Sequence, residues 1–175
     1  MWAEITPLLA IIIFSVVFWL IEKKSVRLDF FRNPAKGLLI GSVAGILWLS
    51  MAVVVMLLMG AIHFESVNPV SNLMVWIIAA FLNVIMQELL IRGYLYQMLK
   101  QKHNVISATI VTTGLFVALH GGAFEAGIVP VLNVLSMSLL MTIVLEYTGS
   151  LIAPIIMHSI WNIVGAIILA GVSLA

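Results

Sequence analysis

The chain has 175 residues, of which 63% are hydrophobic and 9% charged, and its mean hydropathy is +1.24. Soluble domains are about half apolar and a quarter charged, so this composition points to an all-α, polytopic membrane helical bundle forming one integral membrane domain over residues 1–175. No cysteine is present and the net charge is +1. Disulfides, thiolate metal sites and a cysteine nucleophile are thereby excluded, and no nucleic-acid partner is expected.

About six spans are readable in order. The first, Ile5 to Ile21, ends at Glu22-Lys23-Lys24. It has no basic start and no small-residue cleavage site after it, so it reads as a retained span and not a signal peptide. Ser25 to Lys36 mixes Phe30 and Phe31 with Arg27 and Arg32, as a segment lying at the membrane surface or a simple loop would. The second span is Gly37 to Ile62, followed by the polar stretch His63 to Pro69. The third runs from about Asn72 to Leu99, with Lys100 to Asn104 as the next loop. The fourth is Val105 to Leu119, then a glycine-rich break from Gly121 to Gly127. The fifth is Ile128 to Leu145, closed by a tight turn over Glu146 to Ser150. The sixth is Leu151 to about Leu169, with Pro154 in its first turn.

Every loop Lys and Arg falls in the first or third loop: Lys23, Lys24, Arg27, Arg32, Lys36, Lys100 and Lys102. The positive-inside rule makes those loops cytoplasmic and places both termini outside. His63 and His103 are expected in solvated loops, as are the carboxylates Glu125 and Glu146. The Met residues read as filler, and Gly93 as a point of close helix approach.

Three apolar runs carry polar insertions. Gln87-Glu88-Leu89-Leu90-Ile91-Arg92 puts a carboxylate and a guanidinium inside the third span. Such charges face protein or water and not lipid. Four residues apart, Glu88 and Arg92 share a helix face. Phe116 and His120, and His158 and Asn162, have the same spacing. Three insertions suggest one buried site made by three helices. Two imidazoles and a carboxylate could activate water, with a histidine and an asparagine donating to an oxyanion. Alternatively, Glu88, His120 and His158 could bind zinc with an open fourth position. No cofactor is the first expectation, because Arg92 competes for the carboxylate. At about 1.5 Å rise per residue, Glu88 lies roughly 15 Å and His158 roughly 12 Å from the inner ends of their spans, but His120 roughly 22 Å, which fits poorly.

In order, Glu88-x-x-x-Arg92, Phe116-x-x-x-His120 and His158-x-x-x-Asn162 resemble the motifs of the CPBP family of intramembrane proteases, which comprises prenyl-CAAX endopeptidases and bacteriocin-processing or immunity proteins. The resemblance covers a core of about residues 72–164. It implies an intramembrane endopeptidase in a cell membrane, here a bacterial one, acting on a peptide or membrane-anchored substrate, prenylated or bacteriocin-like. By this resemblance a glutamate and His120 activate water, His158 and Asn162 donate to the oxyanion, and Arg92 and Phe116 support the site. The family motif begins with two glutamates, and this chain has Gln87 at the first, the water-activating position. Either Glu88 takes over as the base or the hydrolase is weakened or inactive, and the competing reading is a non-catalytic membrane partner that keeps the fold, as in immunity or envelope regulation. A small transporter would use the same charges but would show paired repeats, and none is present.

Overall fold

The computed structural model describes residues 32–60, 62–64, 73–165 and 172–174, with isolated positions 13, 16, 17, 20 and 167. The expected first span and most of the Ser25 to Lys36 segment therefore lie outside the described residues, as does most of the polar stretch His63 to Pro69.

The described residues form a helical bundle. Helix α1 is Pro34–Leu58, α2 is Leu73–Lys102, and α3 is Val105–Ala118. Short α4 is Gly121–Ala126, α5 is Ile128–Thr148, and α6 is Ile152–Gly165. Helices α1, α2 and α5 are long and apolar enough to cross a membrane, and α3 and α6 are shorter apolar helices. A short antiparallel pairing joins Ile62–Phe64 (β1) to Val172–Leu174 (β2). It brings the chain after α1 and the C-terminal end together.

The helices differ from the sequence expectation in three places. First, α2 does not stop before Lys100. It continues to Lys102, and at 1.5 Å per residue it is roughly 45 Å long, more than the roughly 30 Å hydrocarbon core needs. Its basic end thus reaches the interface. Asn104 then caps α3, its side chain accepting from the Ser107 N–H at 2.9 Å. Second, the Glu146 to Ser150 turn is narrower than expected. Helix α5 persists through Thr148, and Gly149, at φ 64°, closes it in the left-handed conformation. Third, the glycine-rich break is itself partly helical, as α4. Glu146 is also not merely solvated: the Lys100 ammonium pairs with it at 2.6 Å.

Helix α1 packs chiefly along α6. Gly37, Gly41 and Gly45 recur every fourth residue on the buried face of α1. A Cβ on Gly41 would overlap the Ala153 carbonyl oxygen, and one on Gly45 would lie 3.1 Å from the Met157 Cα. Small residues at this spacing let two backbones close on each other, and in lipid this contact replaces hydrophobic driving force. Gly93 on α2 leaves room for the Leu151 side chain, which an added Cβ would meet at 3.1 Å.

Two helices loosen into π-helical turns, over Leu89–Leu95 in α2 and Ile160–Gly165 in α6. In α2 the Tyr96 N–H donates to the Ile91 carbonyl, five residues back. A wider turn rotates the following side chains relative to an unbroken α-helix, and such turns gather at functional sites. Here each one adjoins a polar motif. Ile91, Arg92 and Gly93 are consecutive and all buried, because α3, α5 and α6 cover α2 from several sides.

Candidate active site

Glu88 and Arg92 are both fully buried, on facing turns of α2. The Arg92 Nη1 donates to Glu88 Oε1 at 2.9 Å. From α6, His158 Nδ1 meets the same oxygen at 2.8 Å. A carboxylate oxygen only accepts, so Nδ1 carries the hydrogen. Glu88 Oε2 is equally buried and has no hydrogen-bond partner among the described residues. One carboxylate oxygen thus anchors two helices while the other keeps its accepting capacity.

Arg92 is held from its far side by α5. Its Nη2 donates to Ser138 Oγ at 2.6 Å and to the Ser138 carbonyl at 3.3 Å. The Ser138 hydroxyl in turn donates to Thr113 Oγ1 on α3 at 3.3 Å. The guanidinium carbon also lies 4.3 Å from the Phe116 ring centroid, a cation–π contact that gains strength away from water. Ser138 and Thr113 were not singled out by the sequence reading. The available signal was weak: hydroxyls inside apolar runs that can hydrogen-bond between membrane helices.

Helix end geometry places His120. Helix α3 stops at Ala118, and the His120 N–H donates to Val117 rather than to Phe116. The Phe116 carbonyl is therefore one of the orphan acceptors at a helix terminus. His120 turns its own side chain back to cap it, Nδ1 to oxygen at 2.7 Å. A carbonyl cannot donate, so Nδ1 bears the hydrogen and the neutral ring presents a bare Nε2. The His120 ring lies 4.4 Å from Phe116 and 6.4 Å from His158, centroid to centroid, and Phe116 stands edge-on to His158 at 5.5 Å.

The mismatch in depth disappears once Glu88 is counted as twelve residues before Lys100 and α2 is continued by two more to Lys102. Glu88 is fourteen residues before Lys102, roughly 21 Å, which matches the roughly 22 Å of His120 counted from Val105. His158 keeps level because the turn that starts α6 is not at the bundle end. Ser150 and Leu151 are buried, and Leu151 packs with Tyr96, well inside the end of α2.

Gln87 and Asn162 make no hydrogen bond to Glu88, Arg92, His120 or His158. The Gln87 amide donates to Asn83 Oδ1, one turn back, at 2.5 Å, and its own oxygen is buried without a partner among the described residues. Asn162 is half-buried in the π turn of α6 and makes no side-chain hydrogen bond to a described residue. Among the described residues, no group of three or more His, Asp or Glu side chains is gathered closely enough to hold a metal ion. Of the three expected zinc ligands, both histidines still present Nε2, while Glu88 has the Arg92 guanidinium beside its carboxylate.

No curated protein and no solved structure matches the chain significantly. The profile of the family described as Type II CAAX prenyl endopeptidase Rce1-like matches residues 68–164. That stretch is more than half of the chain and includes all three polar insertions. By this match the chain belongs to the Rce1-like type II CAAX prenyl endopeptidases, a family of CPBP-type intramembrane proteases.

Proposed function

We propose that this protein is an intramembrane endopeptidase that hydrolyses a membrane-anchored peptide by activated water, without a metal, and that Gln87 makes it slow. The observation that carries this reading is the divided use of Glu88: Oε1 is committed to Arg92 and His158, while Oε2 remains an acceptor. A water bound at Oε2 would donate one hydrogen there and the other to His120 Nε2. The water oxygen attacks the scissile carbonyl carbon as His120 takes its proton. His120 then returns the proton to the leaving amine as the C–N bond breaks. His158, steadied by Glu88, and Asn162 donate to the tetrahedral oxyanion. Arg92 balances the carboxylate throughout. Gln87 occupies the position of the family's first glutamate. An amide can hold a water but cannot take its proton at neutral pH.

The test is cleavage of a prenylated peptide in proteoliposomes by the natural chain, Gln87→Glu and His120→Ala. A general base contributes about 10²–10⁴-fold, so Gln87→Glu should raise the rate by at least about tenfold, and His120→Ala should remove it. If neither the natural chain nor Gln87→Glu cleaves, yet both retain the peptide, the protein is the non-catalytic membrane partner instead. If Gln87→Glu changes nothing while Glu88→Gln abolishes cleavage, Glu88 alone is the base.

A further inference from the structure

Glu88 and Arg92 are joined through one oxygen only. A guanidinium and a carboxylate commonly meet by two parallel hydrogen bonds, one to each oxygen. Here Arg92 reaches Glu88 Oε1 through Nη1 at 2.9 Å, while Glu88 Oε2 and Arg92 Nε are both buried without a hydrogen-bond partner among the described residues. Two groups of opposite charge thus lie side by side with the second bond unmade. A restraint on the guanidinium is needed to keep it so.

That restraint is on α5. Arg92 Nη2, which would complete the fork, donates instead to Ser138 Oγ at 2.6 Å. Its other contact there, to the Ser138 carbonyl, is longer at 3.3 Å, and that carbonyl also accepts from the Thr142 hydroxyl at 3.1 Å. The Ser138 hydroxyl is therefore the principal hold. A serine hydroxyl has one hydrogen and two lone pairs. Its hydrogen goes to Thr113 Oγ1 on α3 at 3.3 Å, which leaves the lone pairs for Arg92. Glu88, Arg92 and Ser138 are all fully buried, so bulk water offers no substitute partner. With Nη1 on Glu88 and Nη2 on Ser138, the guanidinium plane is not free to turn Nη2 or Nε onto Oε2.

We infer that Ser138 is a positioning residue for the hydrolysis proposed above: its hydroxyl holds Arg92 Nη2 away from Glu88 Oε2 and so keeps that oxygen open for the attacking water. The inference rests on that reading of Oε2. Without the hydroxyl, Nη2 loses its short acceptor, and the guanidinium closes on Oε2 as a two-bond ion pair. The acceptor that the water needs is then taken, although no charge has changed. Lysine at position 92 separates this effect from simple bracing, because an ammonium is a compact point charge without the planar fork.

The experiment introduces Ser138→Ala into the natural chain and into Arg92→Lys, with Ser138→Thr as the form that keeps the hydroxyl, all in proteoliposomes. One readout is the infrared carboxylate stretch of Glu88, isolated by subtracting the spectrum of the same form carrying Glu88→Gln. The other is kcat and KM for a prenylated peptide. In the natural chain Ser138→Ala should shift the stretch and lower kcat by about tenfold to a hundredfold, as misplacing a reacting group does, with KM unchanged. Ser138→Thr should restore both. In Arg92→Lys, adding Ser138→Ala should change neither. Melting of each form checks that it is folded, and Ser138→Cys, a weaker acceptor in the same space, repeats the comparison if Ser138→Ala does not fold. A loss of kcat with no shift in the stretch, or an equal loss on the arginine and lysine backgrounds, would mean bracing alone and overturn the assignment. If no form cleaves, the peptidase reading falls and the stretch still decides: a shift confined to the arginine background supports the hold of Ser138 on Arg92, and no shift overturns it.

Discussion

The buried Glu88–Arg92 pair allows a double-mutant cycle whose result follows from its contacts. In Arg92→Met, Glu88 keeps a hydrogen-bond donor in His158 at 2.8 Å. Removing one member of a buried pair costs about 3–5 kcal/mol, and this variant should fall near the lower end, about 3 kcal/mol. In Glu88→Gln the guanidinium keeps Ser138 but has no anion, so the cost should approach about 5 kcal/mol. In the double variant no charge is stranded between α2 and its neighbours. Its loss should lie about 2–3 kcal/mol below the sum of the single losses, as coupled contact pairs do. The assay is reversible unfolding in mixed micelles with increasing denaturing detergent, followed by tryptophan fluorescence. Losses that add within about 0.5 kcal/mol would show the two groups to be energetically independent, and the reading of Glu88 and Arg92 as one coupled buried pair would fail.

Three further outcomes are expected. Ser138→Ala removes the 2.6 Å acceptor of Arg92 while leaving the carbonyl at 3.3 Å, and should cost about 1–3 kcal/mol in the same unfolding assay; no loss would mean the hydroxyl is replaceable. Gly41→Ala forces α1 off the Ala153 carbonyl and should cost about 1–3 kcal/mol. Gly114→Ala, where an added Cβ meets nothing, should instead stabilise α3 by up to about 1 kcal/mol; equal signs for the two would refute the close-packing account of α1 and α6. Reporter fusions should place residues 63–70 outside and 100–104 in the cytoplasm, and a cytoplasmic signal from the first would overturn the six-span orientation.

The chain's own chemistry determined the class of fold, because a mean hydropathy of +1.24 with charges confined to loops and one motif leaves membrane helices as the way to satisfy the backbone. The polar motifs were equally legible, since an ionisable group inside an apolar run is costly wherever it is not paired. The fourfold spacing of Glu88 and Arg92 already implied their contact, which is local to one helix. Contacts between helices were not legible. That His158 shares an oxygen of Glu88 and that Ser138 and Thr113 brace Arg92 depend on helix rotations set by packing. The two π turns change those rotations, and periodicity alone assumes an unbroken α-helix. The depth of Glu88 relative to His120 was misjudged because it was counted from a loop boundary that the structure moves from Lys100 to Lys102. The orientation of His120 comes from an orphan carbonyl at the end of α3, an acceptor that exists only once the helix has a definite last turn.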